Sequence, residues 1–293
     1  MLTRPALKAR LRRDGLRLRK RLGQHFLVSE RVRDRLVEAI DLRPSDVVVE
    51  IGAGTGALTE RLVEAAGRVI AFEVDGGLAA VLGEQLAGAP GLEIRCEDVL
   101  KTNFGELAAE AGNQDIVLVG NLPYSITTPI ITRVLESGLR FRAAYFTMQR
   151  EVAQRLLAAP GSRDRGAITY LVEYHVEARR VLVVPRTAFE PVPAVKSVLI
   201  ELIRRTAPAV SPQNPELMFA LIRAAFGARR KMLKNALRRL KWVALPDDKL
   251  AAAARLEGAV RDCGLDPRSR AEQLTLQQFA DLGDALVRAQ AAD

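Results

Sequence analysis

Short runs of consecutive apolar residues alternate with segments of helical apolar spacing along the first two-thirds of the chain. The clearest run is the β-branched segment 47–51, which ends in glycines, and segment 30–40 has clear helical spacing. The pattern predicts strands at 47–51, 68–72, 92–96, 115–119 and 143–148, and helices at 30–40, 57–66, 78–86, 129–136 and 151–157. Continuous apolar strands between helices indicate a parallel sheet that is covered on both faces.

The strand and helix pattern changes after the loop at 161–166. Two further segments, 180–184 and 196–203, are predicted to form a strand pair that closes the sheet. The first domain is therefore predicted to be α/β, with a Rossmann-like, mostly parallel sheet of seven strands.

A stretch with three prolines, at 208, 212 and 215, is typical of a linker. Beyond it only helices are predicted, at 215–226, 230–240, 247–262 and 276–288, and Thr275 with Gln278 matches a capping box ahead of the last helix. We therefore expect a small all-α domain at 206–293 after an α/β domain at 22–205. Residues 1–21 form a basic N-terminal arm, in which Pro5 and Gly15 argue against one long helix.

The composition excludes several classes of protein. No apolar run approaches the ~18 residues that a membrane helix needs, so no integral membrane protein is expected. With two cysteines, at 96 and 263, and two histidines, at 25 and 175, the chain has no disulfide framework, and no metal site is predicted. No apolar segment typical of a signal peptide follows the first methionine. A cytoplasmic protein is therefore expected, with an organellar transit peptide as the alternative for the arm.

The net charge of +9 is distributed unevenly. Residues 1–21 contain nine basic side chains and one acid, and residues 204–241 contain ten basic side chains and one acid, so the remainder is acidic. Lys and Arg that neutralise phosphates release counterions, and two basic blocks on an acidic body therefore favour a polyanionic partner. In segment 230–241, basic residues at 230, 234, 238 and 241 share one predicted helix face, which either contacts phosphates or is only solvated.

A glycine turn follows the first strand at 50–56. Glycines let the backbone turn sharply and approach a ligand where any Cβ would clash. The turn fits two cofactor classes: Gly52, Gly54 and Ala57 match a dinucleotide-binding pattern, whereas Glu50 ahead of the turn suits S-adenosylmethionine.

Two acidic residues at later strand ends bear on the choice of cofactor. Glu73 ends the second strand, where a carboxylate can bind both ribose hydroxyls of either cofactor. Asp98 ends the third strand and can accept a hydrogen bond from an adenine amino group. No basic cluster near the turn could hold a pyrophosphate, so a nucleoside with a zwitterionic tail is favoured over a nucleotide.

The turn after the fourth strand reads Asn121-Leu122-Pro123-Tyr124. This strand is expected beside the first, so its end opens on the same crevice. If the Asn121 amide oxygen and the Leu122 carbonyl accept the two hydrogens of an aromatic amine, its nitrogen is drawn toward tetrahedral geometry and its lone pair can attack a sulfonium methyl. Tyr124 offers a face for the base and the developing charge. Methylation of a planar amino nitrogen is therefore predicted.

The order and spacing of the motifs resemble those of one known family, the KsgA-type ribosomal RNA adenine N6-dimethyltransferases, over about residues 20–285. The motifs are GQHFL at 23–27, the turn at 50–56, Glu73, Asp98, the turn at 121–124 with TP at 128–129, QREVA at 149–153, FEPVP at 189–193, RRK at 229–231 and RAE at 270–272. The resemblance implies a class I S-adenosylmethionine-dependent methyltransferase that modifies two adjacent adenines near the 3′ end of 16S, small-subunit, rRNA.

The resemblance also implies roles for individual residues. Cofactor-binding residues would be His25, Leu27, Gly52, Glu73, Asp98 and Asn121; catalytic residues would be Asn121, Leu122, Tyr124 and Phe189, with the Phe189 ring stacked on the extruded adenine opposite Tyr124. The sequence departs from the family at two positions, because His25 and Ala53 stand where the family usually has Asn and Pro. These departures leave the affinity for the cofactor open.

Other functions remain as alternatives at this stage. One is a large-subunit rRNA adenine methyltransferase of the macrolide-resistance type, and another is a catalytically silent assembly or transcription factor on the same fold. A DNA adenine methyltransferase would need a target-recognition domain, which is not evident. The expected partner is small-subunit rRNA or a precursor of the 30S subunit, and a monomer is expected because no coiled-coil heptads occur.

Overall fold

A computed structural model of the chain describes residues 1–16, 23–237 and 249–291. Its strands are β1 (Phe26–Leu27), β2 (Val47–Ile51), β3 (Arg68–Phe72), β4 (Leu92–Arg95), β5 (Ile116–Asn121), β6 (Ala143–Gln149), β7 (Val176–Val184), β8 (Phe189–Glu190) and β9 (Ser197–Arg204). Its α-helices are α1 (Arg4–Arg13), α2 (Glu30–Glu38), α3 (Thr59–Ala65), α4 (Gly76–Gln85), α5 (Phe104–Ala111), α6 (Thr127–Glu136), α7 (Arg150–Leu156), α8 (Ala167–His175), α9 (Pro215–Gly227), α10 (Leu233–Leu237), α11 (Lys249–Asp262) and α12 (Leu276–Ala291).

Seven strands form one sheet in the order β4-β3-β2-β5-β6-β9-β7, and β1 pairs with β8 in a separate two-stranded sheet. The pairs among β4, β3, β2, β5 and β6 are parallel, whereas β9 is antiparallel to β6. The predicted α/β class with its seven-stranded, mostly parallel sheet is therefore confirmed. The order of the strands reverses at β2 and β5, where open α/β sheets bind ligands.

The two strands at this reversal approach each other closely at their carboxyl ends. All five residues of β2 are buried, as expected for a central strand between helical layers. A Cβ added to Gly120 near the end of β5 would lie 2.7 Å from the Ile51 carbonyl oxygen. Only glycine fits without displacing this backbone, and Asn121 at the end of β5 is thereby brought beside the end of β2.

The basic N-terminal segment contains a packed helix in its described part. Pro5 lies in the first turn of α1, where its missing N–H costs nothing, and Gly15 follows the helix with φ of +64°. Leu7 and Leu11 on α1 are buried in one hydrophobic cluster with Phe26 and Leu78. Residues 4–13 of the predicted arm are thus a helix docked on the α/β part of the chain.

The chain forms two compact units, one of Met1–Ala153 with Ala178–Arg204 and the other of Gln154–Glu177 with Arg205–Asp293. Residues 154–177 therefore pack with the C-terminal helices, although the sequence analysis assigned them to the domain at 22–205. The Tyr170 hydroxyl shares its proton between the Ala271 and Leu274 carbonyls at 2.9 and 2.7 Å, and Tyr170 and Tyr174 belong to the hydrophobic cluster of the C-terminal helices. The predicted division at 205/206 lies one residue from the break between residues 204 and 205, and the assignment of folding domains stays a prediction.

The C-terminal helices follow the prediction except around residue 230. Arg230 lies in the turn after α9, and α10 begins only at Leu233, so the helix predicted at 230–240 is wrong at its start. Residues 238–248, with the predicted basic positions 238 and 241, lie outside the described residues. The predicted capping box is confirmed, because Thr275 Oγ1 accepts the Gln278 N–H at 3.1 Å and Gln278 Oε1 accepts the Thr275 N–H at 2.8 Å.

Candidate active site

The carboxyl ends of β2, β3 and β5 open on a cavity beside β1. Its lining comes from residues 23–27, 50–55, 57–58, 72–74, 78, 97–99 and 121–126. Among the predicted site residues, this lining includes His25, Leu27, Gly52, Glu73, Asp98, Asn121, Leu122 and Tyr124. The cavity lies at the reversal of strand order, and the residues predicted for the cofactor and for the target turn share it.

The glycine turn is attached to the end of β3. The Gly54 N–H donates a hydrogen bond to Glu73 Oε2 at 2.8 Å, and the Gly52 N–H donates to the Phe72 carbonyl at 2.9 Å. Gly54 has a φ of +59°, and a Cβ there would lie 3.4 Å from the Phe26 ring. A side chain would therefore strain the backbone of the turn, since L residues rarely adopt this φ.

Glu73 is held as an acceptor at the edge of the cavity. Its second oxygen, Oε1, accepts the Asp75 N–H at 2.9 Å, and the residue is only 6% exposed. Burial raises the pKa of Glu73, whereas its backbone donors, from Asp75 and Gly54, lower it. Each carboxylate oxygen has a further lone pair, so the group can still accept hydrogen bonds from vicinal hydroxyls.

Asp98 also lines the cavity. Its Oδ1 accepts the Leu100 N–H at 3.0 Å and caps a short 3₁₀ turn, which fixes the carboxylate. Val74 and Leu78 supply apolar surface to the same lining. An apolar slot with a carboxylate at its rim suits a purine with an amino group.

Glu50 is a buried carboxyl group beneath the glycine turn. Its Oε2 accepts a hydrogen bond from the Thr59 hydroxyl at 2.6 Å, and the residue is 2% exposed. Burial raises the pKa of Glu50 to about 7, although the Thr59 hydroxyl opposes the shift, and the nearby charge of Glu73 adds to it. This carboxyl group therefore changes its protonation near neutral pH.

The side-chain amide of Asn121 has a defined orientation. Its Nδ2 donates a hydrogen bond to the His25 carbonyl at 2.9 Å. A carbonyl can only accept, so the nitrogen must face His25, and Oδ1 has no hydrogen-bond partner among the described residues. The Leu122 N–H donates to the Thr147 carbonyl at 3.1 Å, which anchors the turn to β6.

Three further contacts hold the rings of Tyr124 and His25. The Tyr124 hydroxyl and the buried Ser197 hydroxyl share a hydrogen bond of 2.9 Å, and burial raises the pKa of Tyr124. The His25 ring lies 5.0 Å from the Tyr124 ring at 32°. His25 Nδ1 donates to the Pro191 carbonyl at 2.7 Å, since the carbonyl cannot donate. His25 therefore links three segments of the site.

Phe189 is the predicted site residue that does not line the cavity. Its side chain is 1% exposed and belongs to a hydrophobic cluster with Leu27 and Leu199, as expected for a large apolar ring on a strand that pairs with β1. In this conformation the ring cannot stack on a base. Its stacking role stays a prediction that requires the ring to leave the cluster.

Some residues that hold the site were not predicted from the sequence. Ser197 and Thr59 have no local signal that relates them to Tyr124 and Glu50, because the pairs meet only in the folded chain. Phe26 lies between two predicted cofactor residues, and its position in the GQHFL motif could have identified it as part of the lining.

Residues 1–16, 23–237 and 249–291 include no group of three or more His, Cys, Asp or Glu residues suited to a metal ion, and the expected absence of a metal stays a prediction. Over the same part of the chain, no helix combines the length and apolar character that crossing a membrane requires.

Comparisons with known proteins place the cavity in context. Residues 15–261 match the family model described as ribosomal RNA adenine dimethylase. The chain is 40% identical over 281 residues to a ribosomal RNA small subunit methyltransferase A of Bacillus pumilus (strain SAFR-032), with 95% of this chain and 94% of that protein covered.

Two solved structures are similar over most of the chain. A dimethyladenosine transferase from Plasmodium falciparum has a TM-score of 0.71 and 25% identity, and the match covers 87% of this chain and 94% of that one. The 23S rRNA methyltransferase ErmE has a TM-score of 0.64 and 26% identity, with 89% and 99% covered.

The raised pKa of Glu50 predicts a pH-dependent stability. In the unfolded chain this carboxyl ionises near its ordinary pKa of 4.5, whereas the buried group stays neutral up to its folded-state pKa of about 7. The stability is therefore fully present below about pH 4.5 and is lost as the pH rises to about 7. Gln at this position stays neutral and can still accept from Thr59. We expect Glu50→Gln to increase the free energy of unfolding of the ligand-free protein at pH 8 by on the order of 2 kcal/mol, and much less at pH 5.

Urea unfolding of both proteins at the two pH values measures this difference. An equal effect of the substitution at pH 5 and pH 8 would show that Glu50 does not change its protonation on folding.

Proposed function

The chain belongs to the ribosomal RNA adenine dimethylase family, and from this membership we propose that it transfers methyl groups from S-adenosylmethionine to N6 of two adjacent adenines near the 3′ end of small-subunit rRNA. The observation that carries the proposal is the hydrogen bond from Asn121 Nδ2 to the His25 carbonyl at 2.9 Å. It leaves the amide oxygen of Asn121 as the atom available to an incoming amine at the edge of the cavity.

The small-subunit substrate is favoured over the alternatives. Relatives about 40% identical over more than nine-tenths of the chain carry the name ribosomal RNA small subunit methyltransferase A, whereas identity to the 23S rRNA methyltransferase ErmE is 26%. A catalytically silent factor is disfavoured because the glycine turn, Glu73, Asp98 and the turn at 121–124 are all intact.

The residues of the cavity fit S-adenosylmethionine. Glu73 can accept hydrogen bonds from both ribose hydroxyls. Asp98 can accept one from the adenine amino group, and Val74 offers apolar surface to the adenine ring. The positive φ of Gly54 favours glycine, so no side chain of the turn occupies the cavity at this position. When bound, this cofactor supplies an electrophilic methyl group on a sulfonium. Leu27 and Gly52 would line its methionine end.

Asn121 and Leu122 prepare the adenine amine for attack. Asn121 Oδ1 accepts one hydrogen of N6 and the Leu122 carbonyl accepts the other, which draws the nitrogen lone pair out of conjugation with the ring. Both acceptors are fixed before the base arrives, because Asn121 is held by His25 and the Leu122 N–H is bound to β6. Such preorganised dipoles need no reorganisation during the reaction.

The Tyr124 ring offers a face for the target base and for its developing positive charge. Its hydroxyl is neutral and bound to Ser197, so the tyrosine orients the base and is not a general base. No general base is required, since the methylated ammonium is acidic and loses its proton to water. To reach Asn121 the adenine must leave its stack, and an unpaired rRNA segment is therefore the natural substrate.

The partner is an rRNA-containing precursor of the 30S subunit, which the protein meets as a monomer in the cytoplasm. Arg230 and Lys231 support an RNA partner, because both are exposed and form no ion pair with another described residue. Lys234 on α10 is partly exposed one turn further, while Leu233 and Leu237 are buried in the helical unit. One side of this segment can thus contact phosphates while the other packs.

Replacement of Asn121 tests the proposed reaction. Purified protein is incubated with unmethylated small subunits and labelled S-adenosylmethionine, and the nucleosides are identified by mass spectrometry. We expect N6,N6-dimethyladenosine from the wild type and a loss of about 100-fold or more in the rate for Asn121→Ala, because one preorganised acceptor is lost. Cofactor affinity should survive.

Asn113→Ala is the matched control, since Asn113 is exposed in a turn outside the cavity. Full activity of Asn121→Ala would contradict the mechanism, and no dimethyladenosine from the wild type would contradict the proposed function.

Replacement of Glu73 tests the cofactor assignment. Glu73→Ala removes a charged acceptor of the ribose hydroxyls, so calorimetry should show cofactor affinity reduced by about 10-fold or more. Glu136→Ala, at an exposed position on α6, should bind like the wild type. Melting temperatures of both variants exclude general unfolding, and unchanged affinity of folded Glu73→Ala would reject the assignment.

Charge reversal tests the basic segment. Arg230→Glu with Lys234→Glu should weaken rRNA binding about tenfold or more and lower the salt slope of log affinity by about two. The same reversal at Arg31 and Arg35, two exposed positions on α2, controls for net charge. Equal losses from the two double variants in a filter-binding titration would mean that the segment has no specific contact with RNA.

A further inference from the structure

Helix α1 packs on the two short strands β1 and β8, which we call the ribbon, and β1 lines the cavity. Arg4 Nη1 and Lys8 Nζ form ion pairs with the two carboxylate oxygens of Glu190 at 3.1 and 3.0 Å. Arg4 Nη2 also donates to the carbonyls of Thr187 and Phe189 at 3.0 and 3.1 Å. Two basic residues of the arm are thus bound to the protein itself.

The apolar face of α1 reinforces this attachment. Leu7 lies on the helix between Arg4 and Lys8, is 1% exposed and shares a hydrophobic cluster with Phe26 of the ribbon. Glu190 is itself largely buried, with 14% of its side chain exposed, and it pairs with Phe26 across the ribbon. The polar contacts of α1 with Glu190 and its apolar contacts with Phe26 therefore involve two residues that pair across the ribbon.

The ribbon leads directly to the reacting turn. His25, the residue ahead of β1, accepts the Asn121 amide on its carbonyl and donates from its ring to the Pro191 carbonyl just after β8. The Val28 N–H donates to the Ala188 carbonyl at 2.8 Å and closes the ribbon at its other end. A shift between the strands would therefore move the carbonyl that orients Asn121.

We propose that α1 is a positioning element of the active site, in which Arg4 and Lys8, acting through Glu190, hold the ribbon so that the His25 carbonyl orients the Asn121 amide. The kinetic part of this inference rests on the proposed function. The composition of the arm alone would predict that these two basic residues bind RNA, and the proposal gives them a different role.

Single-turnover kinetics separates the two roles. Three variants are compared: the double variant Arg4→Gln with Lys8→Gln, the single variant Glu190→Gln, and the triple variant that combines them. Arg12→Gln is the control, because Arg12 is exposed on the same helix and pairs with no other described residue. We expect the methyl-transfer rate to fall about three- to tenfold in the first two variants, because small misplacements at a reacting centre are costly. The triple variant should be no slower than Arg4→Gln with Lys8→Gln, since the ion pairs to Glu190 are already lost in that double variant.

RNA affinity and its salt slope should stay unchanged in these variants. If Arg4 and Lys8 instead contacted RNA, their replacement would lower affinity and reduce the salt slope by about two, while Glu190→Gln would bind RNA equally or more tightly. That outcome, or wild-type rates in every variant, would overturn the proposal.

Hydrogen exchange tests the same contact without requiring activity. With S-adenosylhomocysteine as the probe ligand, amides of residues 25–28 and 188–190 should exchange faster in Arg4→Gln with Lys8→Gln and in Glu190→Gln, but not in Arg12→Gln. Unchanged exchange in folded variants would overturn the positioning role even if the wild type methylates rRNA. Faster exchange in a protein that methylates no rRNA would locate the failure in the proposed function.

Discussion

The hydrogen bond from the Asn121 amide nitrogen to the His25 carbonyl is the constraint on which the rest of the site depends. An asparagine side chain offers a donor and an acceptor in nearly the same shape, and only the acceptor can help an amine become nucleophilic. Because a backbone carbonyl can only accept, His25 selects the orientation of the amide before any base arrives. The sheet makes this contact possible, since Gly120 lets the end of β5 lie beside β2. The residues predicted to bind the cofactor line the cavity at the same edge of the sheet.

The segment that selects this orientation is itself held from several sides. The ring of His25 is bound to the Pro191 carbonyl, β1 is paired with β8, and α1 covers both strands through Glu190 and Phe26. The cofactor cavity and the target turn consequently share one wall. In the proposed reaction, binding of the cofactor against this wall and positioning of the adenine depend on the same backbone, which couples the two substrates without a separate mobile element.

The central strands and the candidate site were predictable because their signals are local. β2 and β3 occur at the predicted bounds, since buried parallel strands are continuous apolar runs, and the residues at their ends share the cavity because parallel strands end at one edge. β1 and β8 were not predicted, because two-residue strands arise from pairing across the chain and have no periodicity. Helix α8 was missed because its buried, aromatic-rich segment lacks a polar face. The docking of α1 was not predicted, because its basic residues indicate RNA binding equally well. The burial of Phe189 was not predicted either, because it follows from tertiary packing alone.

A crystal structure with S-adenosylhomocysteine and an adenosine-containing RNA oligonucleotide tests the central claim most directly. The account predicts Asn121 Oδ1 and the Leu122 carbonyl within hydrogen-bond distance of N6, the Asn121 nitrogen still on the His25 carbonyl, and N6 facing the sulfur. An adenine bound with the amide nitrogen of Asn121 toward N6, or with the turn at 121–124 directed away from the sulfur, would contradict it.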